Sequence, residues 1–398
     1  MRSPWKRKRL QKFILILFSV CLILFLIGSL ARHHSINVAN QPSSHGNQAS
    51  KSVINKTNFL VTDPVFRKPV TFDNPARTIE VGLHVENIHG LSLADQTFWV
   101  EGWYWLIWPE AIQKIIDQNK IDLKNMVELT NQVEDNSMVI EPEPGQPLQL
   151  PGNFTYQLFR VSAKFYANKL TLEKSPFQKI VLSVTIETRP YVLSCTKGTE
   201  GPPCVYLKPQ IDQDKTESLM GLYSNLNGYE YQGAQVVSYI HKYNSNFGFG
   251  EPVDFPSVDF SFFYKANPVA AFSQYLLPLL VIIGVVLASP SLPGSIGDVR
   301  LAIPSTALLT LIFLEQSYLA TIPSLSYLTF LSWLYVYAYI LAIIFFILYC
   351  WGTHQYITAP EEKKRDTEKR IDRIDIYFQI GGIVALLVAF PLAWYVSG

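Results

Sequence analysis

Two hydrophobic periods divide the chain. From Thr78, apolar and polar positions alternate: Ile79, Val81, Leu83 and Val85 against Glu80, Gly82, His84 and Glu86. A period of two predicts a strand with one buried face. After a turn at His89-Gly90, residues 98–108 form a second, aromatic strand in which Trp99, Trp103 and Trp105 share a face. Alternating runs recur at 158–165, 179–187, 229–239 and 258–265, punctuated by Pro, Gly and Asn as in Glu-Pro-Glu-Pro-Gly at 141–145. Short strands repeated between turn signals predict a β-sandwich. Residues 111–118 suit one short helix, and 119–150 carry no consistent period.

The other signal is unbroken apolarity. A helix needs about 20 apolar residues to cross the hydrocarbon layer, and stretches 13–30, 269–289, 301–321, 327–351 and 374–396 meet or approach that length. The expected fold class is membrane α+β: an N-terminal extracytoplasmic β-sandwich, then a four-helix transmembrane bundle, with an additional N-terminal signal or anchor helix. Arg2, Lys6, Arg7, Lys8, Arg9 and Lys12 precede the first stretch, and Lys363, Lys364, Arg365, Lys369, Arg370 and Arg373 lie between the last two. Basic flanks stay cytoplasmic, and five spans reconcile both clusters with an exported large domain. The expected location is the plasma (inner) membrane, multi-pass. The partition is 1–31 as signal peptide or anchor, since Ser29-Leu30-Ala31 offers a small-x-small cleavage pattern; 32–76 as polar linker; 77–267 as exported domain; and 268–398 as membrane domain.

A net charge of +1 removes the electrostatic motive for binding nucleic acid. No Ser/His/Asp or Cys/His grouping, phosphate loop or metal-ligand spacing is present, so neither an enzyme, a cofactor nor a metal is expected. His33, His34 and His45 lack fixed spacing and read as part of a solvated tether. Asn55 and Asn153 stand in glycosylation acceptor triplets, which matter only in a eukaryotic secretory pathway. Cys21 and Cys350 lie in apolar stretches and read as small buried hydrophobes. Cys195 and Cys204 bracket a Gly/Pro-rich turn in the exported domain, where an oxidising compartment favours a disulfide over two free thiols.

One residue in every three or four along the third apolar stretch selects Asp298, Ala302, Thr306, Leu309, Phe313, Gln316 and Ala320. A lipid-facing helix has no use for this mixed stripe; copies of it around an axis would line a water path. A buried interhelical seam is the alternative. Arg300 lies off the stripe, where it can pair with a carboxylate or snorkel. Pro304 is tolerated in a helix's first turns and otherwise kinks it.

Several stretches resemble one family. Gln96-Thr97-Phe98 leads into the aromatic strand ending at Trp108-Pro109-Glu110, and Ser175-Pro176-Phe177-Gln178 is similar to a Phe-Pro-Phe-Asp loop apex with its first and last residues changed. Leu277-Pro278, Leu308-Leu309-Thr310-Leu311 and Ile322-Pro323-Ser324-Leu325-Ser326-Tyr327-Leu328 follow in the membrane part, while Lys265 stands where an Arg is usual. Together they resemble the pentameric ligand-gated ion channel (Cys-loop receptor) superfamily, prokaryotic type, over roughly 78–398. The resemblance implies a homopentamer in the lipid bilayer, a small-molecule or ion agonist, and permeant monovalent cations. It implies a ligand site made by Tyr191, Tyr243 and Phe247 of one subunit with Trp103 or Trp105 of the next, although each Trp can also serve core packing. It implies coupling through Ser175, Pro176, Phe177 and Gln178, with 89–94, onto Pro323 and Tyr327. The alternative is a non-conducting sensor or scaffold on the same fold; a transporter fits poorly, because internal repeats are not evident.

Overall fold

The structure is a computed structural model that describes residues 67–397 apart from 70, 71, 73, 135–137, 197–203, 211–218, 224–225, 244, 246–247 and 249–252. The apolar stretch at 13–30, Cys21 and most of the linker lie outside the described residues.

The strands are β1 (Arg67–Pro69), β2 (Thr78–Ser92), β3 (Thr97–Pro109), β4 (Val127–Leu129), β5 (Val139–Leu150), β6 (Phe154–Tyr166), β7 (Lys169–Leu170), β8 (Lys179–Thr188), β9 (Cys195–Thr196), β10 (Tyr206–Pro209), β11 (Met220–Tyr223), β12 (Tyr229–Lys242) and β13 (Val253–Ala266). They form two sheets. One runs β1-β12-β13-β8-β4, with β7 on β8 and β9 on β13; the other runs β10-β2-β3-β6-β5, with β11 on β2. A single hydrophobic core draws on both: Ile79 to Val85 of β2, alternate residues of β3 and β6, Ile180 to Ile186 of β8 and Val258 to Tyr264 of β13. Within it Tyr104 stacks on Phe159 with ring centroids 4.8 Å apart, and Phe98 on Phe165 at 5.8 Å.

β2 departs from its predicted end. It continues through Gly90, whose φ of 60° suits glycine, to Ser92, and the chain turns just beyond it. A bulge between Val85 and Asn87 lies opposite Gly102, where a Cβ would sit 2.2 Å from the His84 carbonyl oxygen; this close backbone approach requires glycine. Residues 119–150 resolve into β4 and β5. β5 is an edge strand exposed on both faces, so no alternation marks it, and an edge tolerates its prolines. The short helix α1 (Glu110–Asn119) buries Ile112 and Ile116 and ends on Lys120 in the left-handed region.

Among the described residues, four helices are long and apolar enough to cross a membrane: α2 (Pro268–Ser291), α3 (Gly297–Leu319), α4 (Phe330–Thr358) and α5 (Lys364–Val396), the last preceded by a single turn of 3₁₀ helix. This fits a multi-pass membrane protein. Asn267 caps α2 by accepting from the Val269 and Ala270 amides, and a wide turn at Phe272–Leu276 absorbs Pro278, which lacks an N–H. α4 begins at Phe330 rather than 327 because Thr329 caps it. α5 begins at Lys364 rather than 374, its charged first turns making one helix with the apolar part. Cys350 is exposed on α4, not buried as its apolar context suggests. The Cys195–Cys204 disulfide is formed, with Cα atoms 4.4 Å apart.

Candidate functional site

The described ligand candidates divide between the two sheets of the β domain. On the β2-β3 sheet, Phe98, Val100, Tyr104, Leu106 and Trp108 take the core positions, which leaves Trp103 and Trp105 half-buried on the opposite face. They do not fill the core. The Trp103 indole donates to Glu143 at 3.1 Å and its ring lies 6.2 Å from that of His84. The Trp105 indole donates to Gln210 and lies flat over Gly82, where a Cβ would meet its ring at 2.0 Å. Tyr191 is exposed on a single turn before β9. Tyr243 is half-buried just beyond β12, its ring 4.1 Å from that of His241 and edge-on to Phe255 at 5.7 Å. Phe247 lies outside the described residues. The core separates Tyr243 from the tryptophans, so within the chain they point apart.

Sequence reasoning missed what anchors Tyr243. Glu187 is 1% exposed, and its carboxylate accepts from the Tyr243 hydroxyl at 2.8 Å and from Ser257 Oγ at 2.6 Å, with His241 Nδ1 at 2.8 Å. Burial and the Glu187 carboxylate hold the Tyr243 hydroxyl well above its ordinary range, so it remains a donor. Glu128 stands opposite Glu187 across β4 and β8. Burial first, and then Glu187, push its carboxyl up, against a lowering by Arg189. The alternation of β8 marks Glu187 as outward-facing, but its burial comes from strands more than fifty residues away.

At the junction of the two parts, a cavity of about 600 Å³ brings together 87–94, Ser175, Pro176, Gln178, Tyr275 and Ala320 to Ile322. The Ser175-Pro176 peptide is cis. Carbonyls of Glu173 and Ser175 accept the first amides of α4, from Phe330 at 2.8 Å and Leu331 at 3.2 Å, groups a helix leaves unpaired. The Leu172 amide donates to the Tyr327 hydroxyl at 3.3 Å. Phe177 packs against both Phe330 and Trp394, with centroids 6.1 and 6.2 Å away. The Gln178 side-chain amide donates to the Tyr229 hydroxyl at 2.6 Å, and burial pushes that hydroxyl up to about 12. The loop therefore bonds to the start of α4, beyond half-buried Pro323, and faces Ala320 to Ile322, ahead of it, across the cavity.

α3 carries two stripes on opposite faces, about 180° apart at 100° per residue. Arg300, Pro304, Ala307, Leu311 and Tyr318 are buried against the chain's other helices. Asp298, Ala302, Thr306, Leu309, Phe313, Gln316 and Ala320 are all exposed, Leu309 at 55% and Phe313 at 66%. They are not an internal seam. The helix runs unbroken past Pro304, and the Thr306 hydroxyl donates to the Ala302 carbonyl at 2.8 Å. Arg300 pairs with Asp375 of α5 at 2.5 Å, with its guanidinium 4.2 Å from the Tyr349 ring centroid on α4, while the Tyr349 and Ser289 hydroxyls share a hydrogen bond. One buried polar group thus joins all four helices. No family model matches the chain, and neither does any curated protein.

Proposed function

We propose that the chain is one subunit of a ligand-gated, cation-conducting channel in which five copies close around a pore lined by α3. The observation that carries this reading is the exposed stripe of α3. It runs the length of a membrane-crossing helix, turns away from its own bundle, and combines a carboxylate, a hydroxyl, an amide and two large apolar residues. Such a face is costly against lipid and suited to rings around water. The two sheets act as an extracytoplasmic β-sandwich in the plasma (inner) membrane orientation set by the basic clusters, with a signal or anchor helix ahead of it. Tyr191 and Tyr243 of one subunit meet Trp103 and Trp105 of the next, because outward groups on opposite faces can meet only across a boundary between copies of the chain. Ligand there shifts a closed-to-open equilibrium through the loop at Ser175 to Gln178, which holds the start of α4. Support for this path is direct hydrogen bonding from Ser175 to Leu331, and from Leu172 and Glu173 just ahead of the loop to Tyr327 and Phe330. The test is planar-bilayer recording from the purified full-length protein. Discrete, cation-selective openings are expected; a protein that is correctly assembled yet electrically silent under a broad panel of amines, amino acids and pH steps would favour the sensor or scaffold instead.

A further inference from the structure

The cytoplasmic end of α5 sorts its charges by face. Glu368, Asp372 and Asp375, at spacings of four and three, all turn into the protein: Glu368 accepts from Ser295 Oγ at 3.0 Å, Asp372 from the Gly294 amide at 3.2 Å, and Asp375 holds Arg300. Lys369 and Arg373, four residues apart, turn away from these acids and are exposed, with exposed Arg365 one turn ahead of them, and the same row continues into Tyr377 and then Ile380 and Val384. Those three are 68%, 53% and 54% exposed, as befits the lipid-facing stripe of a membrane helix. Arg370 stands exposed beside this row. Among the described residues, no ion pair holds Arg365, Arg370 or Arg373; Lys369 reaches Asp366 at 3.8 Å with both groups well solvated, a weak tie. Exposed Glu362 lies in the turn before α5, farther from the apolar row.

We propose that this face binds an anionic phospholipid, its acyl chains along Ile380 and Val384 and its phosphate at Lys369, Arg370 and Arg373. At 1.5 Å per residue, Arg373 lies about 6 Å along the axis from Tyr377, and Lys369 about 12 Å. That is headgroup depth if Tyr377 marks the interface, where tyrosine is favoured. Glu368, Asp372 and Asp375 are engaged on the opposite face, and exposed Asp366 and Glu362 lie farther from the apolar row than Lys369, so the row meets the leaflet with a net positive charge. A phospholipid, rather than a soluble phosphate, is the occupant because apolar and basic segments share one continuous row. The inference depends on α5 crossing the membrane and not on whether the protein conducts.

The experiment is electron spin resonance of the full-length protein reconstituted in phosphatidylcholine, comparing spin-labelled phosphatidylglycerol with spin-labelled phosphatidylcholine at the protein boundary. Each cation in contact with an anionic surface favours it by about fivefold. A phosphatidylglycerol preference of at least that size is expected, falling toward one in 0.5 M salt and in the K369Q/R370Q/R373Q variant. The R370K/R373K variant, which keeps the charge, should retain it. Millimolar inorganic phosphate should leave it unchanged; competition by phosphate would mean an ion site rather than a lipid site. Equal association of the two lipids with the wild type, or a preference that survives the triple neutralisation, would overturn the proposal. Should the triple variant not assemble, a wild-type preference insensitive to salt would overturn it equally.

Discussion

Glu187 shows how a single carboxylate can organise the end of a sheet. It is enclosed by protein and engaged by Tyr243, Ser257 and His241 from the two strands beyond its own. Replacing it with Ala would leave those polar groups without a charged acceptor, at a cost of roughly 3 kcal/mol, whereas Tyr243→Phe removes one donor and should cost about 2. Unfolding midpoints of the purified full-length protein read both; an unchanged midpoint in Glu187→Ala would mean that the cluster does not hold the β12 end. Glu128 makes the opposite case. Its carboxyl is raised in the folded protein, by burial and then by Glu187, so folding favours the neutral form. That contribution is fully present below the ordinary glutamate range and is lost as pH rises through the raised value. The Arg189 contact, at 3.9 Å to a largely exposed guanidinium, offsets little. Glu128→Gln should therefore raise the midpoint at pH 7 and leave it nearly unchanged at pH 4. A fall at pH 7 would show that the Arg189 pair dominates.

Among the helices, the decisive contact is the buried Arg300–Asp375 pair with Tyr349 and Ser289. Removing one partner strands the other charge, so Arg300→Met or Asp375→Leu alone should destabilise by roughly 3–5 kcal/mol, while the double variant should recover much of the loss. Thermal inactivation in detergent measures it, and additive losses in the double variant would exclude a coupled pair. How far the sequence exposes these elements depends on whether the cause is local. The β2 and β3 faces and the four apolar helices follow from period and length, which local residues set. The stripe Asp298 to Ala320 also follows from spacing, and every member is exposed. β5 left no trace because an edge strand exposed on both faces has no reason to alternate. The early start of α5 was hidden by charge, since hydropathy counts Glu368 and Asp372 as polar although they bond to the α2–α3 turn. Trp103 and Trp105 were ambiguous because a strand's period fixes which residues share a face, not which face meets the core.

At the scale of the whole molecule, the junction and α3 must act together if the pentameric reading holds. The loop at Ser175 to Gln178 holds α4 on one side of Pro323 and borders Ala320 to Ile322 on the other. Because a proline's fixed φ transmits a displacement that a freer residue absorbs, Pro323→Gly should right-shift or abolish gating while ligand binding persists; unchanged gating would remove Pro323 from the path. The pore itself makes the sharpest demand. Leu309 and Phe313, both exposed on the stripe, would form apolar rings from which water withdraws when the pore is closed. Asp298, exposed in the first turn of α3, would place five carboxylates at the cytoplasmic mouth, concentrating cations and repelling anions. It also favours the helix N-terminus by its charge, a role compatible with filtering. Arg300 could oppose cations only from the lumen, and it is buried and paired on the far side of the helix. Wild-type reversal potential under a salt gradient should therefore report cation preference. Asp298→Ala should weaken that preference, and Leu309→Ala should raise resting leak or agonist sensitivity. An anion-selective wild type would sink the charge assignment, and an unaltered Leu309→Ala would place the gate elsewhere.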